Sequence, residues 1–80
     1  MNNTAKKRIS VELVGDDAIL ADILTTSLRI GEMSKSKAER DQVLVSLALK
    51  ALSMSIEDYR AEYGVKYPNS QQMSDYLANE

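Results

Sequence analysis

Arg8-Ile9-Ser10-Val11-Glu12-Leu13 alternates polar with apolar, and a period of two puts Ile9, Val11 and Leu13 on one side of an extended chain. The β-branched residues, and Gly15 just beyond, complete the signal of a half-buried strand, the only clear one in the sequence. A lone strand leaves its backbone groups unpaired, so the pattern predicts the same strand of a second copy as its partner. The same residues also fit a strand added to another protein, or the start of a helix.

After Gly15 the period changes. Asp16 or Asp17 is suited to cap a helix, and both acids favour its positive end. Leu20, Ile23, Leu24, Ser27, Leu28 and Gly31 then share one helical face, which predicts a helix over about 17–30 with Gly31 as its stop. Ser36 and Glu39 have the spacing of a capping box and open a second helix near Lys37. In it, Val43, Leu44, Val45, Leu47, Ala48, Leu49, Ala51 and Leu52 cover nearly the whole circumference. Such a helix is buried on more than one side, and one strand and one helix are too little to bury it. Ser55-Ile56-Glu57-Asp58 reads as a further cap that starts a short helix ending at Gly64. Pro68 keeps Tyr67 extended, and Ser70 caps a last helix through Ala78.

Size sharpens the burial problem. A chain of 80 residues is one domain at most, near the limit where a single core is enough. With neither Cys nor His, disulfides and the common zinc sites are excluded, so oligomerisation is the remaining device. The same two absences remove the usual nucleophile–base pairs. Gly15, Gly31 and Gly64 are too far apart for a phosphate loop, and Asp16-Asp17 with Asp22, like Glu57-Asp58, reads as helix capping rather than metal ligation. The expectation is a protein that is not an enzyme, with no cofactor and no metal. The longest apolar-rich stretch, Val43–Leu52, contains Ser46 and Lys50 and is far shorter than the roughly 20 residues that span a bilayer. A soluble, cytoplasmic protein without a membrane partner is expected.

The net charge of −2 argues against indiscriminate coating of nucleic acid, but the charge is uneven. Lys6-Lys7-Arg8 form one basic cluster and Lys35, Lys37 and Arg40 a second, whereas residues 53–80 are acidic and hold all four tyrosines. Two local patches on a near-neutral body suit contact with phosphates at a few points. Ordinary solvated charge explains either patch equally well.

The order of basic arm, amphipathic strand, helix, serine-containing turn and strongly apolar helix resembles the ribbon-helix-helix family of DNA-binding proteins (Arc/MetJ/CopG-like), over roughly residues 6–53. The resemblance implies a mainly α chain with one short N-terminal β-strand. Its parts are a flexible basic arm (1–7), a dimerisation and DNA-binding domain (8–53) and a helical acidic tail (54–80). Two copies would pair their strands into an antiparallel ribbon in the major groove of double-stranded DNA. Arg8, Ser10 and Glu12 would face base edges, while Lys6, Lys7, Ser34, Lys35 and Ser36 would hold phosphates. Ile9, Val11, Leu13, Leu44, Leu47, Ala48 and Ala51 would form the dimer core. The implied function is a sequence-specific repressor of plasmid or phage type, acting as a homodimer or a tetramer. Two alternatives stay open: an antitoxin whose residues 54–80 wrap a protein partner, and a helical protein–protein adaptor that does not bind DNA.

Overall fold

The computed structural model describes residues 5–32 and 35–79, and its order is an extended arm followed by three α-helices. These are α1 (Asp16–Ser27), α2 (Lys37–Tyr63) and α3 (Ser70–Ala78), with a short 3-10 turn at Ile30–Glu32 between the first two.

The expected strand, and with it the ribbon-helix-helix fold, is corrected here. Residues 5–14 form no regular secondary structure, and each of them is exposed. Among the described residues there is no strand for Arg8–Leu13 to pair with, so its backbone N–H and C=O groups are left to water. Ile9, Val11 and Leu13, predicted to face a core, stand open, Val11 at 67%.

α1 starts one residue earlier than expected and on different chemistry. Gly15 is its N-cap, with φ 62° and ψ −133°, and no side chain caps it. That backbone conformation favours glycine, so Asp16 and Asp17 fall into the first turn, where their charge faces the positive helix end. The helix stops at Ser27, before Gly31. Arg29 takes the left-handed conformation (φ 55°), and its N–H donates to the Thr26 carbonyl at 3.1 Å. Gly31 sits inside the 3-10 turn instead.

α2 begins where the sequence predicts. Ser36 Oγ accepts from the Glu39 N–H at 3.2 Å, and the Glu39 carboxylate accepts from the Lys35 N–H at 2.8 Å, one residue upstream of a standard capping box. The helix then runs unbroken through Ser53–Asp58, where a new start was expected. Between Lys37 and Tyr63 there is neither Gly nor Pro, and the propensity cost of each serine is only about half a kcal/mol. The predicted stop at Gly64 is present, with φ 68° and its N–H on the Arg60 carbonyl. Asn69, rather than Ser70, caps α3 through a reciprocal box with Gln72, both hydrogen bonds being 2.8 Å.

Burial is sparse. Among the described residues only Ile30, Tyr59 and Met73 are buried. Ile30 anchors the 3-10 turn, and Gly31 lies beside the Arg40 side chain near the start of α2. Tyr59 and Met73 belong to α2 and α3 at the other end.

Arg29 carries a conformation that costs an L side chain about 1 kcal/mol, and its ion pair with Glu32 (3.4 Å) is largely solvated. Arg29→Gly is therefore expected to stabilise the fold by a few tenths to about 1 kcal/mol, read as a higher denaturant midpoint.

Candidate interaction surface

α1 turns its small side inward. Ala18, Ala21 and Thr25 are its half-buried residues, spaced to lie on one face, and the Thr25 hydroxyl donates to the Ala21 carbonyl at 2.7 Å. The face expected to be buried looks outward instead: Leu20, Ile23, Leu24 and Leu28 are exposed, Ile23 at 52%. The long apolar side chains of the helix are thus left on the outside.

α2 has two apolar faces. At 100° per residue, Arg40, Leu44, Leu47, Ala51 and Met54 lie along one stripe, which continues through Asp58 and Glu62. Val45, Leu49, Leu52, Ile56, Tyr59 and Tyr63 lie along another, in alternating steps of four and three. The stripes are separated by about 140° of helix. Each is covered over only part of its length. Near the start of α2, beside the 3-10 turn, Arg40, Val43 and Leu44 are half-buried. Near its end, α3 covers the second stripe.

That covered end is an aromatic cluster. Tyr59 packs on Tyr63 as a tilted pair at 4.6 Å between ring centroids, and Tyr76 of α3 meets both edge-on at 5.2 and 6.0 Å. Leu52 and Ile56 extend it and form a groove with Pro68, Met73 and Leu77. The turn between the helices is tied by Arg60, which pairs with Glu57, donates to the Lys66 carbonyl and lies 5.7 Å from the Tyr67 ring centroid. The neighbouring Glu62 carboxylate, more than partial burial, raises Tyr63 above the ordinary tyrosine range.

The open remainder is large. Leu47, Ala51 and Met54 on the first stripe, and Val45 and Leu49 on the second, are exposed, Leu49 at 56% and Met54 at 70%. An 8.9 kDa chain folded as a compact monomer exposes about 4,800 Å². This chain exposes 7147 Å². Its radius of gyration is 14.7 Å, against about 12 Å for a compact domain of this length.

The residues singled out from the sequence are scattered. Lys6, Lys7, Arg8, Ser10 and Glu12 all lie on the exposed arm, without the ribbon that would align a base-reading face. Ser34 lies outside the described residues. Lys35 and Ser36 flank the start of α2, but Glu39 already occupies the Lys35 N–H, and Lys37 is paired with Asp41 at 2.8 Å. Of the residues expected to hold a phosphate there, the Lys35 N–H is thus engaged by the chain's own carboxylate. Of the α2 residues assigned to a dimer core, Leu44 is half-buried, and Leu47, Ala48 and Ala51 are exposed. No group of three or more carboxylates gathers among the described residues to hold a metal, and no helix there is long and apolar enough to cross a membrane. The tyrosine cluster is absent from the sequence-based expectations, although Tyr59 and Tyr63 stand four apart, and Asn69 and Gln72 carry the spacing of the box that positions Tyr76.

Tyr59 is the buried ring of that cluster. Tyr59→Ala is expected to release α3 from α2 while leaving α1 in place. Hydrogen exchange would show this as lost amide protection in Met73–Leu77, with Leu20–Leu24 unchanged.

Comparison with protein-family models, with curated proteins and with solved structures found no match for this chain.

Proposed function

We propose that this chain is a helical protein–protein binding module whose working form is a homodimer, joined through the outward face of α1 and the open stretches of α2. The observation that carries this reading is the exposed area. The excess over a compact monomer is about 2,300 Å², shared between the exposed arm (residues 5–14) and the open faces of α1 and α2. An obligate homodimer buries roughly 1,000–2,500 Å² on each subunit, so a second copy is enough to cover it. The exposed residues are also of the kind such an interface uses: leucines, isoleucines and valines in continuous helical stripes.

Sedimentation equilibrium at micromolar concentration is expected to give twice the 8.9 kDa chain mass. Ile23→Glu and Leu49→Glu, each placing a charge on the open apolar surface, are expected to weaken the dimer at least tenfold. Ser53→Glu, on the polar side of α2, is expected to leave it unchanged. A cooperatively folded monomer at all concentrations overturns the reading.

A second reading, binding to double-stranded DNA, is favoured by the arm. Lys6, Lys7 and Arg8 are exposed, and none of the ion pairs among the described residues involves them. On this reading the protein retards duplex DNA at low salt. Replacing the three residues by Ala then flattens the salt dependence, by a slope of about 0.9 for each phosphate no longer neutralised. No retardation at low salt removes it.

A further inference from the structure

The arm and the first stripe of α2 match in order, charge and length. In extended chain Lys7, Ile9, Val11 and Leu13 share one side, giving a cation followed by three apolar residues. The stripe of α2 reads Leu47, Ala51, Met54, Asp58, Glu62: three apolar residues followed by two carboxylates, all five exposed. Lys7 to Leu13 spans about 20 Å in extended conformation. Leu47 to Glu62 spans about 22 Å on a helix. Laid with Leu13 near Leu47, the arm brings Ile9 and Val11 over Ala51 and Met54 and sets Lys7 beside Asp58 and Glu62. Lys6 and Arg8 fall on the other side of the extended arm, away from the stripe.

We infer that each arm docks along this stripe of α2 in a second copy, so that the two subunits exchange arms. This inference rests on the homodimer reading. Within its own chain the arm does not take the position, since every residue from Lys6 to Val14 is exposed. The occupant is argued from the complementarity of the two surfaces and from the area that remains to be covered. Among the described residues, the arm is the one apolar stretch that lies outside the helices and their connecting turns. Its basic end meets the acidic end of the stripe, and its apolar end meets the apolar end. Pairing in the opposite direction would place Lys7 on Leu47 and leave Asp58 and Glu62 against leucine.

The test uses two full-length variants, Lys7→Glu and Asp58→Lys/Glu62→Lys, with circular dichroism to confirm that both keep their helices. Each alone is expected to weaken the homodimer on the order of tenfold, because two symmetric charge contacts become repulsive. Mixed in equal amounts, the two variants are expected to form a heterodimer as tight as the original homodimer. In that heterodimer, one contact is the original pair and the other is the same pair with its charges exchanged. Homodimers weakened singly but not restored by mixing would place the contact within one chain and overturn the inference. Homodimers unaffected by either variant would overturn it while leaving the homodimer reading intact. An unmodified chain that stays monomeric would overturn both.

Discussion

A helix with apolar side chains on nearly opposite sides has to be packed from two directions, and α2 receives its neighbours diagonally. The 3-10 turn meets it near its start, beside Arg40. α3 meets it near its end, through Tyr59, Tyr63 and Tyr76. Between these contacts Leu47, Ala51 and Met54 are open on one side, and Val45 and Leu49 on the other. The exposed area of the chain follows from this arrangement. α1, only 12 residues long, leaves the middle open, and α3 lies on a stripe that it covers only from Leu52 onward.

The elements that depend on local chemistry are legible in the sequence. Ser36 with Glu39 marks the start of α2 because capping is decided within four residues, and Gly64 marks its end because a left-handed stop favours glycine. Where two local signals compete, the sequence pattern points the wrong way. Ser55-Ile56-Glu57-Asp58 has the composition of a helix start, yet it follows a helix already formed, and extending a helix costs far less than nucleating one. Gly31 has the composition of a stop, but the turn is taken at Arg29, two residues earlier.

The misreadings of Arg8–Leu13 and of α1 have a different cause. Alternation shows which side chains share a side, not whether a partner strand exists, and no such strand is present among the described residues. In α1, the stripe of large apolar residues has the pattern of a buried face. The structure turns Ala18 and Ala21 inward instead. Leu20, Ile23 and Leu24 are thereby left exposed. The excess of apolar residues is legible in the sequence; which of them are left exposed is not.

The distribution of charge bears on which partner suits this surface. A net charge of −2 gives little long-range attraction to a polyanion, and the basic arm is offset by carboxylates elsewhere in the chain. The carboxylates nearest the start of α2 are already committed, with Glu39 on the Lys35 N–H and Asp41 on Lys37, so that helix end offers an anion little that water would not. Asp58 and Glu62 are different, since neither takes part in an ion pair among the described residues, and both terminate a stripe of exposed apolar side chains. Apolar area supplies the energy of association, and charge at the end of a stripe fixes direction and register. A chain that carries both halves of such a match on one sequence is self-complementary, which is what a symmetric dimer requires of its surface.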